Sequence, residues 1–322
     1  MKVKFLNMIL DKKNKLFKFL LGFIISSFLV YYSIQSFNLN NFKEMIIKID
    51  YKLIFLSIIL LMISVYLRGL RWRILLDDNY SKNFLYKAQL IGYFGNNILP
   101  LRLGEILKSY IVGEKYKISK SIIFGSIILE RILDMFIVGL FILVIFIINA
   151  NFLFSINIAL FYGLLFIAII GLIGVFIAYN KINFKVNKSS KISLMINDLY
   201  IGFANLNNRN FIYALSFSIV IWLIYLFQVY LMQCAFYLDL TINQSLILLV
   251  ISTAAISIPA LPGNFGTFEG AVVYSLSLFN IVDNFGFAFI LHSISFVPYT
   301  ILGFFYLIEN FKLLNRRLKF YE

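Results

Sequence analysis

Apolar residues run through this chain in long uninterrupted blocks, with short basic segments between them. Such blocks cover residues 16–37, 53–76, 121–148, 153–179, 211–236 and 285–308. Each is long enough for the roughly 20 residues a helix needs to cross the apolar core of a bilayer. Two more apolar stretches, 84–112 and 243–282, are interrupted in the middle. The first breaks at Asn96-Asn97-Ile98-Leu99-Pro100-Leu101-Arg102-Leu103-Gly104-Glu105. The second breaks at Leu261-Pro262-Gly263-Asn264-Phe265-Gly266, with Glu269 just beyond. Both read Leu-Pro, two residues, Leu or Phe, Gly, and then an acid. The residue before a proline avoids helical backbone, so each stretch is expected to fold as two half-helices. The second halves start near Leu103 and near Thr267, an N-cap candidate. Broken backbone at membrane depth survives only where protein buries it or water reaches it. The reading is a pair of re-entrant hairpins facing each other.

Loop charges orient the spans. Lys2, Lys4, Lys12, Lys13, Lys15 and Lys18 against Asp11 place the N-terminus in the cytoplasm. The segment 38–52 balances Lys43, Lys48 and Lys52 against Glu44 and Asp50, which suits an outer loop. A full crossing by 84–112 would strand Lys115, Lys117 and Lys120 outside, so this stretch dips in and returns. The turn 149–152 faces outside. Residues 180–209 carry Lys181, Lys185, Lys188, Lys191 and Arg209 against Asp198, a cytoplasmic signature. Within them Ile192, Met195, Ile196, Leu199, Phe203 and Leu206 recur at helical spacing, which predicts a helix lying on the inner surface. Lys312, Arg316, Arg317 and Lys319 put the end of the chain in the cytoplasm as well.

The plan span, span, hairpin, span then occurs twice, in residues 1–150 and 151–322. A shift of 162 residues, from Pro100 to Pro262, carries 53–76 onto 215–238 and 121–148 onto 283–310. The expected architecture is one all-α polytopic membrane domain, 1–322, built as an inverted repeat. Each half has three spanning helices and one re-entrant hairpin. Inverted repeats with broken helices are the pattern of secondary transporters, whose sites lie near the midplane.

Composition agrees with this class. The chain has 322 residues, of which 61% are hydrophobic, and its mean hydropathy of +0.89 exceeds the soluble range. The net charge of +14 sits in loops beside apolar runs, so it reads as orientation signal and anionic-lipid attraction rather than nucleic-acid binding. The single Cys234 excludes an intrachain disulfide. No small-residue cleavage site follows the basic N-terminus, so an uncleaved first helix is expected. No metal-ligand set, phosphate loop or nucleophile elbow occurs, and no cofactor or metal is expected.

The candidate chemistry is intramembrane charge. Glu130 lies nine residues past Ser121, about 14 Å at helical rise and close to mid-bilayer. Charges there are costly and usually paired. Arg131 and Asp134 can pair at i,i+3, Glu130 and Asp134 share a face, and Arg102 at the hairpin tip is the natural partner for the remaining acid. Glu105 and Glu269 near half-helix starts have two readings: acids complementing a helix dipole, or cation or proton carriers. Asn96 and Asn97 either bind headgroup oxygens or satisfy broken backbone, and Asn264 is a candidate substrate ligand. Arg68 ends a span with Arg71, Trp72 and Arg73. The expectation for Arg71 and Arg73 is snorkelling beside an interfacial Trp, while Arg68 is a candidate headgroup ligand. His292 is expected in a packed, hydrogen-bonded role, with proton shuttling as the other reading.

At these residues the sequence resembles the flippase-like, lysylphosphatidylglycerol synthase transmembrane region family. The matching pieces are Leu67-Arg68-Gly69-x-Arg71-Trp72, Asn96-x-x-x-Pro100-x-Arg102-x-Gly104-Glu105, Glu130-Arg131-x-x-Asp134 and Pro262-Gly263-x-x-Gly266-x-x-Glu269. The resemblance implies a multi-pass protein of the cell's inner, cytoplasmic membrane, related to the flippase half of multiple peptide resistance factors. Aminoacyl transfer, which belongs to those proteins' soluble domain, is not carried over. The leading expectation is a flippase for an anionic or charged lipid, either a phospholipid or a polyprenyl phosphate. Arg102 and Arg68 would hold phosphate, and Glu105, Glu130, Asp134 and Glu269 would couple an ion or proton or meet a cationic headgroup. An integral membrane enzyme acting on a lipid-linked substrate, and a non-transporting membrane subunit, are the alternatives. The pattern sets no oligomeric state.

The topology is directly testable. With Cys234 replaced by Ser, single cysteines at Asn40 and Ser189 are exposed to an impermeant thiol reagent on intact cells. Asn40→Cys should label and Ser189→Cys should not; the reverse pattern would overturn the orientation.

Overall fold

The computed structural model describes Tyr31 and residues 39–76, 79–99, 102–148, 158–180, 190–204, 208–257, 262–281 and 285–311. Apart from Tyr31, the expected first span 16–37 lies outside them. So do Pro100, the turn 149–152, most of the basic stretch 181–190 and the segment from 312 onward. Among the described residues, all regular structure is helical.

A short helix α1 (Leu39–Lys48) occupies what the charge pattern marks as a loop. Its Met45 packs against Gly286. Asp50 then accepts the backbone N–H of Lys52 at 2.9 Å and starts the next helix. Among the described residues, five helices are long and apolar enough to cross a membrane. They are α2 (Tyr51–Leu76), α5 (Lys120–Ile148), α6 (Ile158–Asn180), α8 (Asn208–Ala235) and α11 (Phe285–Glu309), and each falls on an expected span.

Between them lie two pairs of short helices. The first pair is α3 (Lys82–Ile98) and α4 (Gly104–Tyr116); the second is α9 (Ile242–Ile256) and α10 (Thr267–Ser277). The longest has 17 residues, about 25 Å at helical rise against the roughly 30 Å of a bilayer core. Ser81 accepts the backbone N–H of Phe84 to cap α3, and Thr241 with Gln244 forms a capping box on α9. Gly266, rather than Thr267, is the N-cap of α10. Thr267 is its first residue, and its hydroxyl donates to the carbonyl of Asn264 at 2.9 Å. Both pairs turn through left-handed backbone: Arg102 has φ 55, Asn264 φ 60, Gly263 φ 70 and Gly266 φ 83. For Arg102 and Asn264 that conformation is uncommon and has to be held by its surroundings.

Contacts fix the helix directions. Asp50 N–H reaches Ala235 O, Ser57 reaches Gln228 and Arg71 reaches Ser218, so α2 and α8 are antiparallel. Lys87 meets Glu309, the Tyr93 ring stacks on Tyr299 and Asn97 meets Phe296, so α3 and α11 are antiparallel too. The turn Pro262–Asn264 of the second pair packs on α3. The amphipathic segment forms α7 (Lys191–Ala204). Instead of simply lying on a surface, it packs along the first half of α5, where backbones touch at Gly125 and Gly202. Its Ile192, Leu194, Met195 and Ile196 remain exposed.

One apolar core gathers α5, α8, α9, α10 and α11 around Val272, Leu276 and Phe287. A second gathers Trp72, Leu85, Ile127 and Leu133 from α2, α3 and α5. The hairpin α3–α4 closes at Gly104, where a Cβ would collide with the carbonyl oxygen of Gly92 and the backbone nitrogen of Asn96. Gly104→Ala should therefore force the two half-helices apart and cost about 1–3 kcal/mol. Thermal unfolding of purified protein in detergent checks this; an unchanged midpoint would contradict it.

Candidate functional site: a buried ion network

Polar chemistry concentrates where α2, α3, α4, α5 and α8 meet. On α2, three-to-four-residue spacing sets Arg68, Arg71 and Trp72 on the face turned to α5. On α5, Glu130 and Asp134 share one face by the same periodicity. Asp134 accepts Arg68 Nη1 at 2.9 Å and Arg71 Nη1 at 2.7 Å, together with the indole N–H of Trp222 at 3.2 Å. Glu130 accepts Lys108 Nζ at 2.8 Å, Gln89 Nε2 at 3.1 Å and Arg71 Nη2 at 3.4 Å. Arg68 also donates to the Tyr225 hydroxyl, and Arg71 to Ser218. Lys108 donates to Gln89 Oε1 and lies 4.3 Å over the ring of Trp72.

Toward the tip of the first hairpin, Glu105 pairs with Arg131. It also sits 3.7 Å from Lys108 Nζ and accepts Asn96 Nδ2. The side chains of Arg71 and Glu130 are 0% and 3% exposed, whereas that of Arg131 is 39% exposed. The network thus runs from a sealed interior to an open edge. Arg102 stands at this edge, within electrostatic reach of Arg131 and Glu105. Among the described residues its guanidinium has no ion pair, and its buried Nε lacks a hydrogen-bond partner. Four paired cations, Arg68, Arg71, Lys108 and Arg131, face three carboxylates, Glu105, Glu130 and Asp134. Arg102 adds a further positive charge.

The structure thus brings together Arg68, Asn96, Glu105, Glu130, Arg131 and Asp134 of the expected set. Arg131 and Asp134 do approach at i,i+3, at 3.8 Å. The expected pairing of Arg102 with Glu130 or Asp134 does not form, because Lys108, Arg71 and Arg68 already fill both carboxylates. Arg71 and Trp72 are not interfacial either. Both are fully buried, and the indole N–H of Trp72 donates to Ser126 at 3.0 Å. Asn97 turns away, donating to Thr300 Oγ1 at 2.9 Å and to Phe296 O. Asn264 lies in the second tip. Glu269 binds His292 at 2.6 Å and the Gly266 N–H at 2.7 Å, not the network. Sequence reasoning passed over Lys108, Gln89, Ser218, Trp222 and Tyr225. Only Lys108 left a signal, its i,i+3 spacing from Glu105.

A protein carrying this network is multi-pass by its helices and charged at its heart. The family described as Lysylphosphatidylglycerol synthase TM region matches residues 19–303. The chain belongs to that family. The chain is also similar to two UPF0104 membrane proteins of Methanocaldococcus jannaschii. One is 24% identical over 313 residues, covering 87% of this chain and 92% of the relative. The other is 29% identical over 229 residues, covering 67% and 95%. No solved structure matches the chain. Family membership and the five apolar helices together make it a multi-pass membrane protein.

Asp134 holds two buried arginines, so removing its charge leaves both uncompensated. Breaking a buried pair this way costs roughly 3–5 kcal/mol. Asp134→Asn should lower the thermal midpoint in detergent far more than Arg131→Gln, since Arg131 is partly exposed. Equal effects would show that the network is not the stabilising element.

Proposed function

We propose that this protein moves a lipid with an anionic phosphate headgroup, phospholipid or polyprenyl phosphate, across the cytoplasmic membrane. It does so as a transporter rather than as an enzyme. The observation that carries this reading is the surplus of positive charge beside the first hairpin tip. Arg102 has a buried Nε with no partner, and Arg131 is the exposed end of the network. Burying a cation without a partner is expensive. A phosphate at that edge would supply the missing charge and accept charge-assisted hydrogen bonds from both guanidinia. The acyl chains would stay in lipid while the headgroup follows the polar edge.

The helix register supports the inverted repeat that such movement needs. A shift of 162 residues places Gly104–Tyr116 at 266–278, against Thr267–Ser277, and Lys120–Ile148 at 282–310, against Phe285–Glu309. The other two equivalent pairs, α2 with α8 and α3 with α9, agree within five residues at every end. The equivalent helices α2 and α8 run antiparallel, as inversion requires. The pairing of α3 with α11 has its counterpart in α9 with α5. In this reading α3–α4 enters from the cytoplasm, α9–α10 from outside, and rocking of one repeat on the other alternates access.

Purified protein in liposomes with fluorescent lipid in one leaflet, read by dithionite bleaching, tests this. Arg102→Ala should leave the protein folded and slow flipping about ten- to a hundredfold, the worth of one charge-assisted bond. Arg102→Glu should be worse, since it repels phosphate. Wild-type flipping no faster than in empty liposomes, for phospholipids and polyprenyl phosphates alike, would refute transport. The lipid-linked enzyme or membrane subunit would then take its place.

A further inference from the structure

We propose that Glu269 and His292 form a proton-binding site, separate from the lipid-headgroup site, and that the proton it takes up drives the second hairpin. The driving role rests on the transport reading above; the proton site does not. The pair joins α10 to α11 through Glu269 Oε1 and His292 Nδ1, 2.6 Å apart, and both residues are buried. The other carboxylate oxygen accepts the N–H of Gly266, the N-cap of α10. Phe265, Phe268 and Phe296 surround the imidazole at ring distances of 5.0, 4.8 and 5.8 Å. An acid and a base are thus enclosed in an aromatic box at the point where the second hairpin turns.

The charge around them explains why this pair, and not the network, exchanges a proton. Glu105, Glu130 and Asp134 each have two or more cations within 4 Å, so a proton arriving there would compete with fixed positive charge. Among the described residues, the only ion-pair partner of Glu269 is an imidazole, a group able to take up a proton near neutral pH. The elements packed around supply no fixed counter-charge among the described residues. Helix α9 carries no ionisable side chain, and α10 adds only Tyr274. Beyond the pair, α11 has Tyr299, Tyr306 and Glu309, and Glu309 is taken by Lys87 of α3. The remaining ionisable groups of α3 are Lys82, Tyr86 and Tyr93. On α1, Glu44 pairs with the exposed Lys48; Lys43 is exposed. Arg68, Arg71, Glu130, Arg131 and Asp134 of α2 and α5 are bound to one another or to α4. One proton therefore switches the pair from a buried negative charge to neutrality, a large change in apolar surroundings.

The site also has a mechanical connection. Phe296 lies one turn beyond His292, and its ring would meet a Cβ on Gly263 at 2.7 Å, so the second tip rests on it. The carbonyl of Phe296 accepts Asn97 of the first hairpin, next to Asn96, which binds Glu105. A proton that alters the Glu269–His292 bond acts on both tips.

The chain has one histidine, so an imidazole ¹⁵N NMR spectrum of protein in lipid nanodiscs reports this ring alone. The ring should change protonation state within the pH range over which the protein stays folded. In Glu269→Gln, which keeps an acceptor for Gly266 but loses the charge favouring imidazolium, the midpoint should move to lower pH. A ring that keeps one protonation state across that range, or a midpoint unmoved by Glu269→Gln, overturns the site. In flipping liposomes, a pH gradient should accelerate the wild type, while His292→Gln should flip at a gradient-independent rate. A gradient response retained by His292→Gln overturns the driving role. Absence of wild-type flipping with a titrating ring refutes transport, and with it the driving role, and upholds the proton site.

Discussion

The pairing of charge in an apolar slab is the constraint on which this molecule depends. Moving an isolated ion out of water costs several kcal/mol even after relaxation, and Arg68, Arg71, Lys108, Glu130 and Asp134 are all buried. Their helices have no freedom to separate. Asp134 ties α5 to α2 through two arginines and to α8 through Trp222. Lys108 and Gln89 tie α4 and α3 to the same helix through Glu130. Apolar packing alone would let these helices slide, because lipid offers Leu and Ile an environment as good as another helix does. The ion pairs are directional and set the register of five helices at once.

The two hairpins share a backbone plan and differ in chemistry. The first turns through a left-handed Arg102, and its second half-helix carries Glu105 and Lys108 into the network. The second turns through Gly263, Asn264 and Gly266, and its one acid is spent on a helix cap and a histidine. A short helix leaves backbone N–H groups unpaired at its start, and Glu269 answers that need directly. One tip is rich in cations and partly open; the other is aromatic. That division suits a protein in which one hairpin meets an anionic headgroup and the other responds to a proton.

The match to the Lysylphosphatidylglycerol synthase TM region family extends over residues 19–303 and so takes in the ion network and both hairpins. The similar UPF0104 membrane proteins are covered almost end to end.

The sequence by itself determined the helical membrane class and the positions of five spans, because about 20 apolar residues in a row have few other solutions. It also determined where two helices break, since Pro100, Pro262 and the neighbouring glycines act locally. Charges at membrane depth, such as Glu130 and Asp134, announced themselves by their cost. What the sequence could not decide was who pairs with whom. Arg71 and Trp72 sit at the end of a span, where composition alone cannot tell a snorkelling side chain from one folded under α5. Arg102 looked like the partner of the acid left over, Glu130, yet Lys108 from the next half-helix and Arg71 from far earlier in the chain reach it first. Gln89, Ser218 and Tyr225 carry no charge pattern, and only helix packing puts them beside ions. Local backbone chemistry is written in neighbouring residues; the assignment of partners is a competition among distant ones, settled by tertiary structure.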